Sequence, residues 1–419
     1  MNVSTLGEAR FDSPIRRTVS DALRVPEQIV CDPQAEPASE LLFEIAGARA
    51  KLFFNPALTR AGIVTCGGLC PGLNNVIRSL FLELHHTYGV KEVLGFRGGY
   101  QGLDPARGAE PIVLTQEFVD DIHKEGGTVL GTSRGPVDVS LAVDNLIRRG
   151  VDILFTIGGD GTQRGGHELF QEASKRGHAL AVVGIPKTVD NDVPFVSRTF
   201  GYFTAVEEAA RVLDRAHIEA RSVHNGIALV KLMGRHAGFI AAGATVASQD
   251  VNFTLVPEVP FKLEGERGFL GAVQRRIMKR AHALIVVAEG AGQDLLTSGG
   301  EHDASGNAKL ADIGLFLRGR LEAHFKAQKI PMVMRYFDPS YIIRSVPADA
   351  EDSMLCDLFA RHAVHAAMAG KTGLVIGWLH DQFVHVPIEL LAGRKKRMDP
   401  TAFGWSAVLA ATGQPEIFE

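Results

Sequence analysis

The sequence predicts an α/β protein: two doubly wound, mainly parallel-sheet lobes preceded by an N-terminal extension. Short apolar runs alternate with stretches long enough for helices, the pattern of parallel strands joined by helical crossovers. Several runs end directly in glycine-rich polar turns, as ligand-binding turns do at the carboxyl edge of such sheets. A length of 419 residues is too great for one small core and favours two domains.

Residues 1–60 carry several prolines and scattered charges without periodicity, and read as an extension. The sheet begins at Ala61–Thr65. Further strands are expected at Asp152–Ile157, Ala179–Ile185, Ile227–Leu232, Ala283–Ala288 and Pro331–Met334. The continuous apolar character of Asp152–Ile157 suits burial on both faces. Helices are expected from Gln163 to Arg176 and from His236 to Ser248.

Composition narrows the function classes. A net charge of −4 argues against a surface built for nucleic acid. The basic run Gly393–Arg397 reads as a solvated loop. No apolar stretch approaches the roughly 18 residues needed to span a bilayer. Glu8, Asp12 and Asp21 give the N-terminus none of the character of a secretory signal, so a cytoplasmic protein is expected. Cys31, Cys66, Cys70 and Cys356 lack the accompanying ligands of a metal site and read as structural thiols.

Two turns carry the chemistry. In Ile157-Gly158-Gly159-Asp160-Gly161-Thr162, the glycines let backbone N–H groups approach an anion, and the following helix start adds positive partial charge. Asp160 can then hold Mg²⁺ against phosphate oxygens. In Pro186-Lys187-Thr188-Val189-Asp190-Asn191-Asp192, Thr188 can donate to a phosphate. Asp190 and Asp192 would point in similar directions if the segment is extended. One carboxylate can accept the proton of an attacking hydroxyl while the other organises the metal or its water. Each turn read alone also permits an ordinary structural turn or a solvated acidic loop. Together they describe phosphoryl transfer.

Both turns resemble the signature segments of 6-phosphofructokinases, and the chain is similar to the branch holding pyrophosphate-dependent enzymes and the ATP-dependent enzymes of plants and trypanosomes. Supporting segments are Thr65-Cys-Gly-Gly-Leu-Cys-Pro-Gly-Leu-Asn74, Gly126-Gly-Thr-Val-Leu-Gly-Thr-Ser-Arg134-Gly135, Lys231-Leu-Met233-Gly234-Arg235 and Asp338-Pro-Ser-Tyr341-Ile-Ile-Arg344. The resemblance implies the phosphofructokinase fold, with an extension at 1–60, a nucleotide and Mg²⁺ lobe at 61–203, a sugar-phosphate lobe at 204–340 and a return to the first lobe at 341–419. The active site would lie in the cleft between the lobes.

It also implies roles. Asp190 matches the general base acting on the C1 hydroxyl of fructose 6-phosphate. Thr188, Asp192 and Lys187 match residues beside the transferring phosphate, and Arg235 offsets its charge. Gly67, Arg134, Gly135, Gly159, Asp160, Gly161, Thr162 and Gly165 fall on the nucleotide side, with Asp160 as the Mg²⁺ carboxylate. Val189, Met233, Gly234 and Glu289 shape the sugar site. Arg335, Tyr341 and Arg344 match the 6-phosphate cradle, where arginine's planar fork suits bidentate binding.

Gly161 leaves room for a nucleotide where pyrophosphate enzymes carry aspartate. Lys187 is compatible with either donor, so Gly161 selects ATP over the alternative, pyrophosphate. Position 226, where bacterial relatives place an inter-subunit arginine, is glycine here. Lipid and NAD kinases share the GGDGT turn but lack the other segments. A non-catalytic regulatory subunit would permit loss of Asp160, Asp190 or Arg235, and all three are present. The implied partners are fructose 6-phosphate and ATP, with no nucleic acid or membrane, in a homodimer or homotetramer.

Overall fold

The computed structural model describes residues 2–30, 32, 34, 41–135, 138–296 and 310–419. The chain forms two compact units. The first is Met1–Thr188, Val193–Gly201 and Ser345–Arg394; the second is Val189–Asp192, Tyr202–Arg344 and Lys395–Glu419. The expected return at 341–419 therefore divides after Arg394, because the last segment packs with the second unit.

In the first unit a nine-stranded sheet runs in the order Arg24–Pro26, Leu42–Ile45, Gln382–Pro387, Leu374–Leu379, Ala181–Pro186, Ile153–Gly158, Arg60–Thr65, Glu92–Phe96 and Ile112–Val113. Its middle five strands are parallel, and antiparallel strands flank them on both sides. Strands 153–158 and 181–186 are buried at every residue, as their unbroken apolar sequence requires. Val64, Leu94, Leu154 and Val182 pack on one face with Leu146 and Leu169 of the helices Val139–Arg148 and Asp160–Lys175. Asp138 and Asp349 cap helices by accepting the backbone N–H groups of Leu141 and Asp352, which secures the crossover starts.

The second unit holds a four-stranded parallel sheet in the order Phe253–Leu255, His282–Ala288, Gly226–Leu232 and Val333–Phe337. Ile227, Leu229, Ile285 and Val287 face a core with Val273, Leu317 and Phe325. The alternate residues Ala228 and Val230 are also buried, on the face where the helix Tyr202–Arg221 packs. The sheet is thus covered on both sides, as a parallel sheet needs to be.

Residues 1–60, expected as an extension, contribute strands to the first unit's sheet. The strand Leu42–Ile45 pairs with Gln382–Pro387 in the main sheet, and a buried ionic cluster fixes it there. Glu44 meets Arg49 at 2.6 Å, Lys371 at 2.6 Å and His385 at 3.0 Å, while Asp21 reaches Arg49 and Lys371 at 2.6 and 2.8 Å. Burial works against an ionised Glu44, but the His385 hydrogen bond and the Lys371 ammonium outweigh it and hold the carboxyl well below its usual range. Sequence reading missed this cluster because its members are far apart in the chain and lie in no recognisable motif.

Beside it, burial pushes the imidazoles of His362 and His365 down to about 3 and about 4. His362 stacks on Phe383 with ring centroids 4.5 Å apart, and His365 shares a 2.9 Å hydrogen bond with the Tyr88 hydroxyl. Above pH 6.5, the ordinary value, folded and unfolded chains both hold these rings neutral. Below it the unfolded chain takes up protons that the folded chain refuses, so stability falls as pH drops. Each ring should cost about 2 kcal/mol by pH 5. The denaturation midpoint should fall between pH 7 and pH 5, and His362→Phe should flatten that slope; an equal slope in the variant would rule out the ring as its source.

Candidate active site

In the first unit, the strands Arg60–Thr65, Ile153–Gly158 and Ala181–Pro186 are parallel neighbours ending in line, with Thr65 opposite Ile157 and Gly158 opposite Pro186. Their three following turns share one edge. The Lys187 backbone N–H donates to the Gly158 carbonyl at 3.1 Å, and its ammonium donates to the Gly68 carbonyl at 2.6 Å. Gly67 has φ +85°, and a Cβ there would stand 3.2 Å from that ammonium. The Arg134 segment joins this edge through its neighbours: the Gly67 N–H donates to the Ser133 carbonyl at 3.1 Å, and the Thr132 hydroxyl donates to the Gly67 carbonyl at 2.7 Å. Arg134 and Gly135 are exposed there.

Gly159 precedes the helix Asp160–Lys175, so that helix starts three residues earlier than expected. Asp160 is its first residue and is half-buried. A Cβ at Gly161 would meet nothing within 4 Å. Thr162 and Gly165, expected on the nucleotide side, instead face inward. Thr162 is buried with its side chain against Gly158, where a Cβ would come within 2.1 Å of the threonine hydroxyl. A Cβ on Gly165 would come within 2.7 Å of the Tyr100 ring. Their conformational demands come from packing.

The thiols fit a structural reading. Cys66, Cys70 and Cys356 are free and buried, and burial pushes the Cys66 thiol up to about 12. Cys31 lies outside the described residues.

In the second unit the chemistry again collects at the carboxyl edge. Gly226–Leu232 is followed by Met233-Gly234-Arg235, His282–Ala288 by Glu289, and Val333–Phe337 by Asp338. Gly234 has φ +128°, and a Cβ there would press within 2.6 Å of the Ala237 carbonyl, so only glycine turns the chain here. Burial raises the Asp190 carboxyl well above its usual range, and the negative charges of Asp192 and Glu289 raise it further. A hydrogen bond from the Arg235 backbone and the charge of Arg344 oppose the rise. Burial likewise raises Glu289, opposed by Arg235, Lys231 and Arg344. Asp190 thus lies within reach of Asp192, Arg235, Glu289 and Arg344. Arg344 also stacks its guanidinium 4.8 Å from the exposed Tyr341 ring.

Asp190 and Asp192 approach by a different route from that expected. The segment is not extended: Asn191 is buried in the left-handed region with φ 55°, a conformation asparagine tolerates better than most residues. Thr188 and Val189 lead into this turn, Thr188 half-exposed with its carbonyl accepting the Thr199 hydroxyl at 2.7 Å. Met233 is half-buried.

Arg335 is not brought to this edge. It sits opposite Ala228, at the middle of its strand, and its guanidinium lies 3.6 Å from the Glu219 carboxylate. Lys231, which carried no expected role, bridges Asp312 and Asp338 at 2.8 and 2.9 Å and ties adjacent strand ends together. At Gly226 a Cβ would fall 2.1 Å from the Ala220 carbonyl, so backbone fills the space an arginine would need to leave the strand.

The contrast between two glycines of one helix is measurable. Gly161→Ala enters open space and should hold or raise stability by up to about 1 kcal/mol. Gly165→Ala must displace Tyr100 and should cost about 1–3 kcal/mol. Denaturant unfolding of both variants checks this, and equal midpoints would contradict the packing described.

The phosphofructokinase family model matches residues 60–367. ATP-dependent 6-phosphofructokinase 7 of Arabidopsis thaliana is 46% identical, covering 94% of this chain and 81% of its own. ATP-dependent 6-phosphofructokinase of Trypanosoma brucei brucei is 47% identical, covering 91% of this chain and 80% of its own. Among solved structures, the pyrophosphate-dependent phosphofructokinase of Marinobacter aquaeolei matches with a TM-score of 0.70 over 86% of this chain and 93% of that one, at 20% identity, a likeness of fold alone. A family match over most of the chain, with plant and trypanosomal relatives near half identity, establishes that this chain belongs to the phosphofructokinase family.

Proposed function

We propose that this chain transfers the terminal phosphoryl group of ATP to the C1 hydroxyl of fructose 6-phosphate, giving fructose 1,6-bisphosphate and ADP. The observation that carries the reading is Asp190, a carboxylate raised by burial and by its acidic neighbours yet tied to the Arg235 backbone. A raised value makes a stronger base once ionised, which suits proton removal from an alcohol as its oxygen attacks phosphorus. The relatives named ATP-dependent support the donor, as does the open space at Gly161.

The division of labour follows the two edges. On the first, Gly159 and the start of the helix Asp160–Lys175 face phosphate oxygens, Gly67 lets the backbone come close to them, and Lys187 offers its ammonium. Arg134 and Gly135 accompany the nucleotide. Thr188 and Asp192 flank the phosphoryl group in flight. On the second edge Asp190 accepts the C1 proton, Arg235 offsets charge on the phosphoryl group, and Glu289 receives sugar hydroxyls. Arg344 and Tyr341 hold the 6-phosphate, with Val189, Met233 and Gly234 as the sugar-pocket wall.

A carboxylate at an open helix start suits Mg²⁺, which is held through one or two carboxylates together with phosphate oxygens and water. Asp160 would hold the ion, which supplies charge neutralisation between the donor phosphates. Such a transition state leaves the protein mostly positioning and electrostatics to provide. A homodimer or homotetramer in the cytoplasm completes the proposal, on family likeness alone. No helix among the described residues is long and apolar enough to cross a membrane.

Asp190→Asn should lower kcat by about 10² or more while leaving fructose 6-phosphate binding close to wild type. Steady-state kinetics and equilibrium binding on the folded variant check this, and near-normal turnover would remove Asp190 as the base. Gly161→Asp should cut kcat/KM for ATP steeply, since a carboxylate facing the α-phosphate in a partly desolvated site costs on the order of several kcal/mol. Assays with ATP and with pyrophosphate on wild type and variant decide the donor. A wild type that prefers pyrophosphate, or a variant with full ATP activity, would overturn the choice.

A further inference from the structure

The basic run Gly393–Arg397, expected as a solvated loop, is not uniformly so. Arg394, Lys395 and Arg397 are exposed, but Lys396 is half-buried and turns into the second unit. Its backbone N–H donates to the Asp192 carbonyl at 3.1 Å, and its ammonium donates to the Asn191 side-chain carbonyl at 3.1 Å. The same ammonium lies 5.1 Å from the ring centroid of Phe239, the first residue of the helix Phe239–Ser248. Two residues on, the Met398 N–H donates to Glu258 at 2.9 Å, and that carboxylate also accepts the Gly238 N–H at 3.0 Å. A strap of three residues therefore touches the acidic turn on one side and the segment that follows Arg235 on the other.

The arrangement solves a particular problem. Asn191 is held left-handed between two carboxylates that repel each other, a conformation that costs free energy unless its surroundings fix it. A cation hydrogen-bonded to the asparagine side chain, and a backbone N–H bonded to the next carbonyl, fix the turn at both ends. The cation also offsets the turn's negative charge without needing to contact the substrate.

We propose that Lys396 is a positioning residue for phosphoryl transfer: it clamps the Asp190-Asn191-Asp192 turn against the segment carrying Arg235 and so holds the base on its proton. This rests on the reading of Asp190 as general base. Lys396→Met keeps the aliphatic stem and removes the donor. It should lower kcat about 10- to 100-fold, the scale of a small misplacement of a reacting group, with KM for fructose 6-phosphate and for ATP changed less than about threefold. Lys396→Arg retains a donor for Asn191 and should recover most of the lost rate. In an Asp190→Asn background Lys396→Met should cost less than about threefold, because the base it positions is already gone. Thermal unfolding of each variant confirms that the compared proteins are folded.

Unchanged kcat in folded Lys396→Met would overturn the proposal. So would a large rise in KM at constant kcat, which would mark a direct substrate contact, or a loss that persists undiminished in the Asp190→Asn background. An active Asp190→Asn protein would overturn the base assignment itself, whereas an inactive one beside an unimpaired Lys396→Met overturns only the positioning role.

Discussion

Mutual repulsion among carboxylates is the constraint on which the second unit's site depends. Burial first, and then the charges of Asp192 and Glu289, raise the Asp190 carboxyl, so the site must hold these acids together out of water. The cations around them are placed accordingly. Arg235 and Arg344 oppose the rise at Asp190, and Lys231 adds its charge near Glu289. Lys231 and Arg235 come from the end of the strand Gly226–Leu232 and Arg344 from the loop after Val333–Phe337, so the sheet is the device that makes the local charge tolerable. Parallel strands bring several carboxyl ends to one edge, and the turns there can carry groups that no single helix or hairpin could hold together.

The first unit's edge works under the opposite demand, for it offers donors to an anion. Glycines at 67 and 159 clear the approach, a helix start adds its positive partial charge, and Lys187 is anchored to a backbone carbonyl. Other glycines of the same turn serve packing. Gly158 exists so that Thr162 can fold back beneath the turn, and Gly165 so that Tyr100 can lie against the helix. One short motif thus mixes residues chosen for a ligand with residues chosen for the turn's own support, and sequence alone does not separate them.

That mixture marks the limit of what the sequence made legible. The strand runs, the glycine turns and the sugar-side segments were readable because each is local: an apolar run, a φ requirement or a spacing inside a dozen residues. The strand ends at Gly158, Pro186, Leu232 and Ala288 fell within a residue or so of their expected places. Features built from distant pieces were not legible. Nothing in Gly393–Arg397 discloses that Lys396 bonds to Asn191, 205 positions earlier. The left-handed Asn191, the incorporation of residues 42–45 into the sheet and the position of Arg335 beside Glu219 likewise follow from tertiary packing.

The pairing of Leu42–Ile45 with Gln382–Pro387 bears on how the protein can be made. A ribosome delivers Glu44 when its eventual neighbour His385 is still 341 residues away, and Lys371 is little nearer. Until both emerge, a carboxylate destined for burial has Arg49 alone of its three basic partners, and two strands of the nine have no edge to join. The four-stranded sheet, by contrast, draws on residues 226–337 alone and can close as soon as they are synthesised. The sheet that begins first in the sequence is therefore completed last, and its early strands must wait unpaired through most of translation. The charges scattered across residues 1–60 then have a second use, since charge on an unpaired strand opposes its pairing with other chains while the sheet is unfinished.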